Sequence, residues 1–177
     1  MYDHTINGLP YNNPKFHWSK IGLGGINSTG PNLKTLEELI KENKHENEDN
    51  MILKMDVENA EWEALRDVPE HILKKFKYIA IEYHFFHPEK EAELYYSVLK
   101  KMHKYHQPFY FRCNVRKLIV QFGNNRICQF IEISYVLREN NTFTKDDSLY
   151  PIYEFDYMGP SRKNYAEMEV NMLTLFD

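Results

Sequence analysis

The stretch Met51-Ile-Leu-Lys-Met-Asp-Val-Glu58, continuing Asn-Ala-Glu-Trp-Glu-Ala-Leu65, decides the reading of this chain. Its first residues are apolar or long-stemmed, which suits a buried strand. The run ends in two acids, Asp56 and Glu58. Side chains alternate along a strand, so positions i and i+2 face one way and the two carboxylates share a side. Residues from Ala60 to Leu65 then read as the first turns of a helix. A strand running straight into a helix is half of a βαβ unit. Ligands of open α/β sheets bind just outside the C-terminal strand ends. Two acids at such an end are a candidate site.

Working outward, Tyr78-Ile-Ala-Ile-Glu-Tyr-His-Phe85 predicts the next strand, and it ends in a second polar doublet, Glu82 and His84. The segment from His87-Pro88-Glu89 predicts a helix with an apolar stripe of Leu94, Val98, Met102 and Tyr105, because proline and acids suit a first turn. Lys100, Lys101 and Lys104 fall in its last turns, where the helix dipole favours cations, and Pro108 follows its end. Phe109–Asn114 and Leu118–Phe122 predict strands. Gly123-Asn-Asn-Arg126 predicts a hairpin turn, and Ile127–Leu137 one long strand. Upstream, Phe16–Leu23 predicts a strand. Thr35 and Glu38 stand in capping-box relation ahead of a helix carrying Leu36, Leu39 and Ile40. The alternation in the middle predicts an α/β fold with a mostly parallel sheet and a C-terminal antiparallel hairpin.

The chain has 177 residues, 42 % hydrophobic and 27 % charged, enough for one domain with a real core. A net charge of −4 argues against nucleic acid as a partner. The acidity is concentrated from Asn140 onward, where Asp146, Asp147, Glu154, Asp156, Glu167, Glu169 and Asp177 face only Lys145, Arg162 and Lys163. The expected division is therefore a domain at 1–139 and an acidic, Tyr-rich tail at 140–177. No stretch approaches the ~20 apolar residues of a membrane span, and the opening residues show no secretion signal, so no compartment is indicated. Cys113 and Cys128 lie in apolar runs and read as buried thiols, with a disulfide as the alternative. Asn140-Asn-Thr142 matches a glycosylation acceptor pattern.

At this point a resemblance enters. Leu53-Lys-Met-Asp-Val-Glu-Asn-Ala-Glu-Trp-Glu-Ala-Leu65 resembles the signature of FkbM-type methyltransferases and their methyltransferase-like 24 relatives. Tyr2-Asp3-His4-Thr5-Ile6, Glu82-Tyr-His84, Asn114 and Glu132-Ile-Ser-Tyr135 resemble further pieces of that family, in the right order. The resemblance implies a Rossmann-like class I methyltransferase sheet using S-adenosylmethionine, here without the family's first strand and glycine-rich loop. It implies that Asp3 binds the cofactor ribose and that Asp56, Glu82 and His84 serve catalysis. Glu58 and Asn114 would contact a small-molecule or glycan-like substrate. The family has glycine where this chain has Asn59, and asparagine tolerates left-handed backbone better than most residues.

The residues themselves leave alternatives. Asp56, Glu58, Glu82 and His84 can supply a general base for methyl transfer to oxygen. They can also bind a divalent metal, a reading ranked lower because spacing alone does not show convergence, and no metal ligand is assigned. A non-catalytic binding or scaffold module is the second function class, favoured by the missing glycine loop, and a metal-dependent enzyme the third. Glu61, Trp62 and Leu65 read as structural. His103 and His106, at a helix end, read as solvent or dipole partners.

Overall fold

The computed structural model describes residues 1–84, 88–113, 119–122, 125–139 and 141–144. The described elements are β1 (Gly22–Leu23), β2 (Leu33–Lys34), α1 (Leu36–Glu42), β3 (Met51–Met55), α2 (Glu61–Asp67), α3 (Glu70–Leu73), β4 (Phe76–Tyr83), α4 (Pro88–Tyr105), β5 (His106–Cys113), β6 (Ile119–Phe122), β7 (Asn125–Cys128) and β8 (Ile131–Leu137). The fold is mixed α/β with open sheets. The main sheet runs β3-β4-β8-β5. β3 and β4 are parallel, with Leu53 opposite Ile79 and Met55 opposite Ile81. β8 is antiparallel to both β4 and β5. The main sheet is therefore mixed rather than mostly parallel. The α4 crossover returns β5 parallel to β4 but leaves one strand position between them, and β8 fills it.

Local chemistry explains the elements. α1 starts at the expected capping box: Glu38 N–H donates to Thr35 Oγ1 at 3.3 Å and Thr35 N–H to Glu38 Oε2 at 2.7 Å. α2 ends before Pro69, with Val68 at its C-cap. Along β4, Ile79, Ile81 and Tyr83 are buried, and along β8 so are Ile131, Ile133 and Tyr135. These alternate residues share one face, packed under Trp62, Leu65, Tyr95, Val98 and Met102 of α2 and α4. Trp62 and Leu65 are core residues, as their spacing predicts. β3 pairs only with β4 among the described residues, and Ile52 is 74 % exposed along it.

Several expectations are corrected. The strand expected at Phe16–Leu23 is reduced to β1, with Ser19 bridging Tyr2 in parallel. The long strand expected at 127–137 breaks at Gln129–Phe130 into β7 and β8. Pro108 follows the end of α4 as expected, but the strand expected from Phe109 already begins at His106, so the proline lies inside β5. It is tolerated because β5 is a sheet edge and the ladder shifts register between Pro108 and Tyr110. Cys128 is disulfide-bonded, not a free thiol, and the chain has one other cysteine. The end of β5 at Cys113 pairs with Ile131, just past Cys128, so the chain's return brings the two segments together. The acidic tail lies outside the described residues except for 141–144. Among the described residues no helix is long and apolar enough to cross a membrane.

Two basic groups also have roles the spacing did not suggest. Lys101 reaches off α4 to cap α2: its Nζ donates to Leu65 O at 3.0 Å, Arg66 O at 2.9 Å and Val68 O. Those are the carbonyls that a helix C-terminus leaves unsatisfied. His106 is fully buried, and its Nε2–H donates to Phe76 O at 2.8 Å. Burial, then the Arg138 charge, pushes His103 down to about 4. Burial likewise lowers His106.

Two predictions follow from these contacts. Lys101→Met strips charge-assisted hydrogen bonds from the α2 end and lowers stability by about 1.5–3 kcal/mol in urea titration. The histidines set an acid limit. The unfolded chain takes up protons at an ordinary histidine pKa of about 6.5, while folded His103 and His106 resist. The stability they contribute is full above that pH and falls as pH drops toward the depressed folded values. His103→Gln is expected to lose less melting temperature than the parent between about pH 7 and about pH 5; an identical loss would disprove this origin.

Candidate functional site

The two strand-end doublets meet. β3 and β4 run parallel and in register, so their C-terminal ends deliver Asp56 and Glu58 beside Glu82 and His84. One oxygen each from Asp56 and Glu82 and one imidazole nitrogen of His84 lie within 4.8 Å of one another. His84 Nε2 is 3.5 Å from Asp56 Oδ1 and 3.6 Å from Glu58 Oε2. The imidazole is buried, while the Asp56 and Glu58 side chains are 46 % and 77 % exposed. A ligand from solvent therefore meets the carboxylates first and the ring behind them. Lys54 lies 3.6 Å from Asp56 at the exposed side. Glu82 pairs with Glu132 across the β4–β8 ladder, and Arg112 approaches Glu132 at 3.4 Å, offsetting the two like charges.

A buried carboxylate holds this arrangement. Glu61 is 0 % exposed. Its Oε2 accepts from Asn59 N–H at 3.0 Å, and its Oε1 accepts from the His84 backbone N–H. The same Oε1 lies 3.3 Å from His84 Nδ1. Trp62, the next residue, donates its indole N–H to His84 O at 2.8 Å. Its ring sits between Tyr83 at 4.6 Å and Tyr95 at 4.4 Å. Phe130 closes edge-on over the imidazole at 5.4 Å. Burial works against a charged His84 ring, but the Glu61 hydrogen bond and the charges of Glu61, Glu58 and Glu82 outweigh it and raise its pKa.

The turn that makes this possible is left-handed. Glu58 has φ 49° and Asn59 φ 89°. Two consecutive left-handed residues reverse the chain between β3 and α2, which aims the Asn59 N–H at Glu61. Asparagine stands where the backbone demands a residue tolerant of positive φ.

The remaining expected residues lie elsewhere. Asp3 is not in this cluster. Its Oδ1 accepts from Thr5 N–H at 2.7 Å and Thr5 Oγ1 at 2.6 Å. Those bonds, the side-chain one first, hold its carboxyl below the usual range. Tyr2 beside it accepts from Asn43 at the end of α1. Tyr2 also lines a groove of about 620 Å³ facing β3, walled by Leu36, Ile40, Leu53, Met55 and Val57. Asn114 lies outside the described residues. A larger cavity of about 940 Å³ lies at the opposite end of β3 and β4, lined by Asn50, Lys74, Lys75, Lys77 and Glu139 among others. It opens at the strand N-termini, away from the strand-end cluster, whereas the groove beside Tyr2 runs along β3 from Met51 to Val57.

Sequence reasoning read Glu61 as structural and missed its bridging role. The available signal was an acid two residues past a positive-φ position, in the first turn of a helix whose next residue is a core tryptophan.

Glu61→Ala leaves the buried His84 N–H and the part-buried Asn59 N–H without an acceptor and is expected to cost about 2–5 kcal/mol. Asn59→Gly relieves the left-handed strain and is expected to keep or raise the melting temperature, whereas Asn59→Val lowers it. Thermal melts of the three variants check both statements; a stabilised Asn59→Val would refute the turn assignment.

A family model described as the methyltransferase FkbM domain matches residues 11–109 of the chain. That span contains Asp56, Glu58, Glu82 and His84 and excludes Asp3 and Asn114. No curated protein and no solved structure matches.

Proposed function

The chain belongs to the FkbM methyltransferase domain family, whose model covers more than half of it, and on that premise we propose that it is an S-adenosylmethionine-dependent methyltransferase acting on an oxygen of a small-molecule or glycan-like acceptor. The observation that carries the reading is the convergence of Asp56, Glu82 and His84 at adjacent parallel strand ends. The four-stranded sheet is then one side of a Rossmann-like methyltransferase sheet, with β8 as its antiparallel insertion.

The residues present suit the cofactor in size and character. The groove beside Tyr2 has the volume of a nucleoside site and mostly apolar walls. Asp3, fixed on one oxygen by Thr5 and next in the chain to groove-lining Tyr2, would supply the carboxylate that accepts from ribose hydroxyls. When bound, S-adenosylmethionine supplies an electrophilic methyl on a positively charged sulfur. The carboxylates of Asp56, Glu58 and Glu82 make the strand ends electronegative, a field that favours a cationic donor. Asp56, Glu82 and His84 orient the acceptor hydroxyl and take its proton. Orientation supplies most of the acceleration, and the base contributes about 10²–10⁴-fold.

A second reading, a binding module without catalysis, is favoured by the outer edge of β3, which has no partner strand among the described residues. One titration separates the two. S-adenosylhomocysteine titrated into the folded chain is expected to bind one-to-one and to weaken at least about tenfold in Asp3→Ala, a loss of about 1.4 kcal/mol. Asp56→Asn is expected to keep that binding and to lower turnover by about 10²-fold or more. Absence of heat from a folded chain would overturn the methyltransferase reading and leave the binding module.

A further inference from the structure

We infer that Asp56, Glu82 and His84 form a site for a divalent cation of the Mg²⁺/Mn²⁺ class, held between the C-terminal ends of β3 and β4 with Glu61 as the residue that aims the imidazole.

The first observation is the ligand set. Two carboxylates and an imidazole each place one donor atom within 4.8 Å of the others. Donors on bonds of about 2.1–2.3 Å stand about 3 Å apart when adjacent and about 4.5 Å apart when opposite. Small side-chain rotations of Asp56, which is half exposed, close the remaining gap. Carboxylates suit Mg²⁺ and Mn²⁺, and the single imidazole makes Mn²⁺, which accepts nitrogen more readily than Mg²⁺, the better fit of the two.

The second observation is independent of the acids at the mouth: it is the direction of the buried ring. His84 Nδ1 lies 3.3 Å from Glu61 Oε1, and Glu61 is fully buried. A carboxylate only accepts, so Nδ1 is the nitrogen that carries a proton toward Glu61. That orientation turns Nε2 toward Asp56 Oδ1 at 3.5 Å and Glu58 Oε2 at 3.6 Å. Nε2 therefore faces the mouth that Asp56 and Glu58 line, the side from which an ion would enter. A carboxylate behind one ring nitrogen and a ligand position before the other is the arrangement that orients metal-bound histidines and raises their basicity. Among the described residues, the acids around the ring outnumber the cations. Asp56, Glu58, Glu82 and Glu61 surround the ring, and the described cation closest to Asp56 is Lys54, at 3.6 Å on the exposed side.

Three protein ligands leave three positions of a six-coordinate ion open. Resting on the methyl-transfer reading, one of them would take the acceptor oxygen; the cation would acidify its hydroxyl, and Glu58, beside the site but not a ligand, would take the proton in place of the ligating residues. The acceptor then needs an exposed hydroxyl able to reach the strand ends. The cation site itself stands without that reading.

The test is Mn²⁺ binding to the full chain, followed by loss of the free-ion electron paramagnetic resonance signal with no methyl donor present. One saturable equivalent is expected. Asp56→Asn and His84→Gln are each expected to weaken it at least about tenfold, and Glu61→Gln about 10–100-fold through the misaimed ring. Glu70→Gln, far from the cluster, is expected to leave it unchanged. Asp56 is half exposed, so Asp56→Asn remains decisive if the buried His84 variant unfolds. Absence of saturable binding to about millimolar Mn²⁺, or binding that Asp56→Asn leaves intact, overturns the site and leaves a proton on His84 as the positive centre. A chain that takes Mn²⁺ but not S-adenosylhomocysteine upholds the cation and overturns methyl transfer, and the converse result does the opposite.

Discussion

The Glu61 carboxylate is the contact on which the rest of this structure depends. An ionisable group with no solvent exposure is costly unless its lone pairs are met by donors. Here two backbone N–H groups meet them, one from the β3–α2 turn and one from the end of β4. Glu61 thereby joins consecutive strand ends that the β-ladder alone would leave to splay, since the β3–β4 pairing stops at Met55 and Ile81. The adjacent Trp62 makes a third tie, to the His84 carbonyl, while filling the core between Tyr83 and Tyr95. One helix turn thus fixes both the packing of α2 and the position of His84.

That economy explains which parts of the molecule were legible in the sequence. The β3–α2 unit was readable because apolar strand, acidic end and helix are contiguous. The polar doublets were readable because period-two alternation assigns them faces without any tertiary knowledge. Their convergence required the parallel register of β3 and β4, which spacing does not contain. The left-handed turn was legible through Asn59 alone. Glu61 was not, because an acid in a first helical turn has an ordinary explanation in the dipole, and only burial distinguishes the two.

The misreadings share a cause. Pro108 follows α4 as its position suggests, yet the strand starts before it, at His106, and the sheet edge tolerates it once the ladder shifts register. Residues 127–137 looked like one strand because both halves are apolar, and the break at Gln129–Phe130 appears only when β8 must sit between β4 and β5. Lys101 looked like a dipole partner of its own helix but caps its neighbour. In each case local propensity was satisfied and tertiary placement decided the outcome.

The site combines two demands that ordinarily conflict. A buried imidazole disfavours charge, while carboxylates around it favour charge. The structure separates them by depth. Glu61 and His84 are sealed beneath Trp62 and Phe130, whereas Asp56 and Glu58 reach solvent. The sealed pair sets direction and the exposed pair supplies the field. A neutral hydroxyl can donate to the outer carboxylates, an anionic ligand is repelled, and a cation, or a cationic group on a larger ligand, gains most from that field against a ring whose orientation was fixed before it arrived. Preorganisation of this kind removes the cost of ordering the ligands at the moment of binding. It also makes the selectivity of the strand ends a property of the Glu61–His84 pair rather than of the exposed acids, which any acidic surface can offer.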